Sequence, residues 1–201
     1  MSSCHPLHVT HRWLMQVDGV ILAGGKSTRM GSNKSQILLN NKPLINHVFD
    51  RLHPQVGKIW ISTNVNLEQF PENIQFKDQL KESFGPLTGV YSGLKQAQTD
   101  WVQFCPNDCP LLPANLVSEL KKFITQANAE IIIPRVDGFL EPTFILCSKS
   151  LADDIPLYVK KHGVKLQKWV MAHNYICVDF NDKKLFTNIN NKDDLALIEN
   201  A

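Results

Sequence analysis

Short apolar runs alternate along this chain with amphipathic stretches of helical period, an order that few folds accommodate. Val20, Ile21 and Leu22 form the first run, inside an expected strand at 17–23. Behind Pro43, a good first-turn residue, Leu44, Val48 and Leu52 recur every four positions and predict a helix. Ile59 and Ile61 alternate with other residues across 58–63, which reads as a second strand. Leu87, Val90, Leu94 and Ala97 make a helical stripe before a strand at 101–105. A further stripe, Leu116, Leu120, Phe123, Ile124 and Ala127, follows Pro113. Strands are expected at 131–133, 144–146 and 176–180, with a helix at 153–169 broken near His162-Gly163 and a closing helix at 192–199. Strands alternating with helices of about ten to fifteen residues predict an α/β fold, with a mostly parallel sheet wound on both faces. Ligands of such sheets sit beyond the carboxyl ends of the strands, so the turns leaving Ala23 and Cys105 are where chemistry is to be sought.

The 201 residues suit one domain, expected at 17–201 behind a disordered or frayed extension at 1–16. Lys and Arg number 21 against 19 Asp and Glu, a net charge of +2 that excludes a strongly basic nucleic-acid binder but not a small anionic ligand. Cys4, Cys105, Cys109, Cys147 and Cys177 are odd in number and irregular in spacing, which predicts reduced thiols and a cytoplasmic protein. Cys105 reads as a small buried hydrophobe. No apolar stretch nears the roughly 18 residues needed to span a bilayer, so no membrane contact is expected.

The loop after the first strand, from Leu22 to Lys34, has the chemistry of a phosphate cradle. Gly24 and Gly25 let the backbone approach an anion and turn consecutive N–H groups toward it. Lys26, Arg29 and Lys34 add positive charge, while Ser27 and Thr28 can donate hydrogen bonds. Spacing excludes a Walker loop, because Val20 stands where Gly25-Lys26-Ser27 would need a glycine. The dinucleotide fingerprint also fails, since Gly24-Gly25 does not supply its Gly-x-Gly start.

Leu-Ala-Gly-Gly-x-Ser-x-Arg-Met-Gly-x-x-Lys directly after a first strand resembles the signature of the nucleotidyltransferase superfamily, and within it the molybdenum cofactor guanylyltransferases. The resemblance runs from Val17 nearly to Asn200. It takes in Thr63-Asn64, Asp78, Gly85-Pro86-Leu87-Thr88-Gly89, Pro106-Asn107-Asp108-Cys109-Pro110, Glu141-Pro142-Thr143 and Thr187-Asn188-Ile189-Asn190. It implies a Rossmann-like three-layer αβα sandwich of the nucleotide-diphospho-sugar transferase type. The implied activity is transfer of GMP from GTP to the phosphate of molybdopterin, with release of pyrophosphate.

By this resemblance Leu22, Ala23, Gly24 and Gly25 lie along the nucleotide, Arg29 and Lys34 meet the triphosphate, and Asn64 and Asp78 contact the nucleoside. Guanine presents an N–H edge that a carboxylate accepts, which suits Asp78. Asp108 leaves a buried strand between two prolines, and one rigidly placed carboxylate with phosphates and waters is a common way to hold Mg²⁺. Asp108, Lys34 and Arg29 are thus the expected catalytic residues. Gly85, Gly89, Asn188 and Asn190 match positions on the molybdopterin side. Transient hand-over to other proteins of the cofactor pathway is expected from the pterin's instability. Three departures stand out: Asn33 where relatives usually carry Asp, Glu141 where His or Gln is common, and lysines at 165 and 168 where arginine is usual. The competing readings are a cytidylyltransferase of the same pathway, a sugar-phosphate guanylyltransferase, and a catalytically silent nucleotide- or cofactor-binding protein. Cytidylyltransferases tend to have Ala in place of Gly24, and retention of Arg29, Lys34 and Asp108 speaks against a silent protein.

Overall fold

The computed structural model describes residues 15–24, 37–80, 84–126, 128–191 and 194–195. Five parallel-running strands dominate it: β1 (Asp18–Leu22), β4 (Ile59–Ser62), β6 (Trp101–Pro106), β7 (Ile131–Val136) and β10 (Tyr175–Phe180). A short β5 (Gln75–Phe76) extends one edge, and the described residues form one eight-stranded sheet ordered β10-β7-β9-β6-β1-β4-β5. The exceptions to the parallel run are β8 (Phe139–Leu140), paired with β7, and β9 (Leu146–Ser148), wedged antiparallel between β6 and β7. A separate ribbon joins β2 (Leu38–Leu39) to β3 (Lys42–Pro43) through Asn40 and Asn41, both at positive φ. Asn tolerates that left-handed region better than most residues.

Strand residues alternate between two cores because side-chain direction has a period of two. Ile21, Ile59, Ile61, Cys105 and Ile132 join the cluster covered by α1 (Leu44–Leu52) and α3 (Leu116–Lys121). Val20, Trp60, Val102, Phe104, Ile131 and Ile133 join the one covered by α2 (Pro86–Gln96), α4 (Asp154–His162) and α5 (Leu166–Met171). Both faces of the sheet are therefore buried, as three layers require. No described helix is long and apolar enough to cross a membrane.

The predicted elements are found at most of their positions, with informative shifts. The strand expected at 144–146 begins instead at Leu146. Pro142 has no N–H for a ladder and starts a 3-10 turn closed by Phe144 N–H on Glu141 C=O at 3.0 Å. Phe144 is still fully buried, but from a turn. The stripe behind Pro113 is α-helical only to Lys121. Past it, three-residue bonds such as Phe123 N–H to Leu120 C=O (3.1 Å) and Ile124 N–H to Lys121 C=O (3.3 Å) tighten the spiral. The closing helix expected at 192–199 lies outside the described residues apart from 194 and 195, as does the extension up to 14.

Two details generate tests. A Cβ on Gly93 would stand 2.7 Å from Phe104 Cε1 and 3.1 Å from Val20 Cγ2, so the absent side chain is what lets α2 seat on β1 and β6. Gly93→Val should cost about 2 kcal/mol or more by overpacking, visible as a drop of several degrees in Tm; an unchanged Tm would contradict the close seating. Glu141 is half-buried at the start of the 3-10 turn. Burial raises its carboxyl pKa above the ordinary value, and Lys183 partly offsets the rise. A raised pKa favours the neutral form in the fold, so its contribution is present below the unfolded value and is lost as pH rises through the folded one. Glu141→Gln should therefore melt at or above the unsubstituted protein at pH 7, with the gap closing toward pH 4. A gap independent of pH would refute the burial effect.

Candidate active site

Parallel pairing brings the strand exits together at one edge of the sheet. Leu22 stands beside Ser62 on one side and Pro106 on the other. Beyond those pairs the chain leaves β1 through Ala23-Gly24, β4 through Thr63-Asn64 and β6 through Asn107-Asp108. Backbone bonds hold the exits in step: Ala23 N–H donates to Ser62 C=O, and Thr63 N–H to Phe76 C=O, each at 2.9 Å.

Asn64 and Asp78, fourteen residues apart in the chain, meet here. Asn64 Nδ2 donates to Asp78 Oδ2 at 2.9 Å, Asp78 N–H returns a bond to Asn64 Oδ1 at 3.4 Å, and Ser62 Oγ donates to Asp78 Oδ1 at 3.4 Å. The segment carrying Asp78 is held from behind, where Gln79 N–H donates to Ser92 Oγ on α2 at 2.9 Å. Gly24 faces this pair: a Cβ there would lie 3.7 Å from Asp78 Oδ2 and 3.8 Å from Asn64 Nδ2. That space is not sterically forbidden, so a methyl group would fit the protein and would occupy room in front of the carboxylate. A carboxylate has about four acceptor directions, and the two bonds it receives here leave capacity for a ligand N–H.

Gly85 and Gly89 flank the start of α2. Gly85 has φ +58 and precedes the helix, a conformation that favours glycine, while Thr88 Oγ1 accepts from Phe84 N–H at 2.7 Å. A Cβ on Gly89 would come within 2.8 Å of Leu22 Cδ2 and 3.3 Å of Ser62 Oγ. Gly89 thus has a packing role next to the exits of β1 and β4, whereas Gly85 is required by its backbone conformation and neighbours only Val164.

Asp108, half-buried, turns off β6 under restraint from the far end of the chain. Its carbonyl accepts from Ile189 N–H at 2.8 Å. Cys109 is fully buried and lies 3.9 Å from Asp108 Oδ1, 3.8 Å from the Phe186 carbonyl, and in hydrogen-bond contact with Asn188 Oδ1. Burial first, and then Asp108, Cys105 and Glu141, push the Cys109 thiol well above its usual pKa, so it is no nucleophile. Asn188 is therefore brought to Asp108. Asn190 instead begins a cap, its N–H donating to Asp194 Oδ2 at 2.8 Å. Gly25, Arg29 and Lys34 lie outside the described residues. Sequence reasoning passed over Ser62 and Ser92, which have no signal except their places at a strand end and on a helix.

The described residues contain no group of three or more His, Cys, Asp or Glu able to hold a metal. A carboxylate at a strand exit, such as Asp108, suits Mg²⁺ held largely by phosphates and water better than a structural ion held by protein groups alone.

Residues 19–175 match the family described as the MobA-like NTP transferase domain. A molybdenum cofactor guanylyltransferase of Cupriavidus pinatubonensis is 38% identical across 91% of this chain and 96% of its own length. One from Shewanella piezotolerans is 36% identical, covering 87% of each. The fold matches molybdopterin-guanine dinucleotide biosynthesis protein A from Archaeoglobus fulgidus, with a TM-score of 0.72 at 22% identity over 92% of this chain and 97% of that one. Kinship of this extent makes the chain a nucleotidyltransferase of the MobA-like NTP transferase family, related to the molybdenum cofactor guanylyltransferases.

Proposed function

We propose that the chain transfers GMP from GTP to the phosphate of molybdopterin, releasing pyrophosphate, within a single domain at 17–201. The observation that carries this reading is the meeting of Gly24, Asn64 and Asp78 one strand away from Asp108. In the reaction an oxygen of the molybdopterin phosphate forms a bond to the α-phosphorus of GTP, and the bond to the bridging α,β oxygen breaks. Asp78 accepts from the N–H edge of guanine while Asn64 fixes its orientation. Leu22, Ala23, Gly24 and Gly25 run along the nucleotide, with Gly24 leaving room in front of the Asp78–Asn64 pair. Arg29 and Lys34 neutralise the triphosphate and the charge growing on pyrophosphate. Asp108 would hold Mg²⁺, which when bound supplies positive charge at the α-phosphate and the leaving group. Gly85, Gly89, Asn188 and Asn190 border the molybdopterin half.

Two expected outcomes test the reading. In Mg²⁺, GTP should raise Tm more than ATP or CTP at equal concentration, because a ligand that binds only the native state stabilises by RT ln(1 + [L]/Kd). Equal shifts for GTP and CTP would instead favour a cytidylyltransferase. Asp108→Asn preserves shape and hydrogen bonding and removes the charge. Its folding should survive while molybdopterin-dependent pyrophosphate release falls by about a hundredfold or more, the effect of roughly 3 kcal/mol of lost electrostatic stabilisation. Near-normal release at saturating Mg²⁺ would reduce Asp108 to a turn residue.

A further inference from the structure

Cys109 is a buried polar group at the β6 exit to which the proposed reaction gives no part. It is fully buried in the cluster under α1 and α3, yet its sulfur's hydrogen-bond partners among the described residues are all acceptors: Asp108 Oδ1 at 3.9 Å, the Phe186 carbonyl at 3.8 Å, and Asn188 Oδ1 in direct contact. A thiol combines a small apolar body with a weak S–H donor, which lets it fill a core position and still direct one bond. Immediately beside it, Ile189 N–H donates to Asp108 C=O at 2.8 Å. Two bonds on successive residues, 108 and 109, thus fasten two successive residues, 188 and 189. Asn188 is exposed apart from this attachment. A side-chain amide has one acceptor end and one donor end, so an amide whose oxygen is engaged inward offers its N–H groups outward.

We infer that Cys109 is a positioning residue for Asn188: its S–H holds Asn188 Oδ1 and so turns Asn188 Nδ2 toward the ligand, as a donor for an acceptor oxygen of the molybdopterin half. The attachment also couples that donor mechanically to Asp108. The identity of the ligand rests on the proposed function; the clamp itself does not.

The test uses the full chain and four variants, Cys109→Ala, Cys109→Ser, Asn188→Ala and the Cys109→Ala/Asn188→Ala pair, each first checked by thermal melting for native folding. One neutral hydrogen bond bounds the effect at up to about tenfold in affinity. In Cys109→Ala the KM for molybdopterin should rise by about that factor, with kcat and GTP affinity within about twofold. Cys109→Ser, which keeps a donor, should recover most of the loss. Because the thiol acts through the amide, Cys109→Ala should add nothing once Asn188 is Ala, the non-additivity expected of directly coupled residues. An unchanged KM in Cys109→Ala, or the same rise in the Asn188→Ala background, overturns the inference. A substrate-free measurement separates its failure from that of the function. The Asn188 side-chain amide signal in a ¹⁵N–¹H spectrum, assigned by its loss in Asn188→Ala, should move in Cys109→Ala and stay in place in Cys147→Ala, a buried thiol on the opposite core. An unmoved signal overturns the clamp whatever the substrate. A moved signal without molybdopterin-dependent turnover by the unsubstituted protein supports the clamp and overturns guanylyl transfer alone.

Discussion

The register of three parallel strands governs this molecule. With Leu22 level with both Ser62 and Pro106, β1, β4 and β6 release their chains at one edge and at one height. Parallel strands cannot be joined by tight hairpins, so each exit must travel back through a crossover, and the polar residues of the crossovers collect where the strands stop. The register is in turn held by burial on both faces. Val20 and Ile21, adjacent in sequence, enter different cores, and a slip of one residue would exchange their surroundings. Gly89 and Gly93 bring α2 into close contact with the same strands, at Leu22, Ser62, Val20 and Phe104. What seals one core therefore also sets the height of the exits.

The polar groups at that edge fall into two assemblies. One is made by β1, β4 and the segment after β5, where Asn64 and Asp78 exchange bonds and Ser62 and Ser92 brace them. The other is made by the β6 exit and the returning chain at 186–190, where a backbone bond to Asp108 and the contact of Cys109 with Asn188 close the arrangement. A two-substrate transfer needs such a division, because each substrate must be held on its own side of the reacting phosphate. Mutual bonding within each assembly holds its side chains in place before any ligand arrives, which lowers the cost of ordering them on binding.

Buried ionisable groups are otherwise kept quiet. Cys105 and Cys147 are fully buried, and that burial drives their thiols upward in pKa and away from reactivity. Glu141, an added carboxylate where anionic substrates are expected, is half-buried, with Lys183 as a compensating charge. Arg135 sits on the far strands, in a two-pronged pair with Asp179 at 2.6 and 2.8 Å. That pairing joins β7 to β10 and gives the arginine a structural use away from the proposed triphosphate.

Much of the fold and part of the site were legible beforehand. Alternating strand and helix periods reported the layered sheet, since burial on two faces leaves continuous apolar runs at 20–22 and 131–133 that a chain can display without its neighbours. Gly24, Gly25 and Asp108 stood out as permissive or polar residues just after expected strands, whereas Asn64 and Asp78 were indicated only by the family resemblance. A strand was expected near β9, but its start at Leu146, its antiparallel direction and the 3-10 turn ahead of it were not legible. Phe144 is apolar enough for a strand, and only its packing against Phe186, with ring centroids 5.0 Å apart, and the missing N–H of Pro142 make it a turn. Periodicity and residue chemistry are local properties, so the order of residues alone dictates the composition of the layers and the kinds of group available at the strand ends. Which of those groups touch, Asn64 with Asp78 and Cys109 with Asn188, was decided by the tertiary structure alone. Contacts between residues 14 and 79 positions apart exist only once strand register and two-sided burial bring their exits to a common edge.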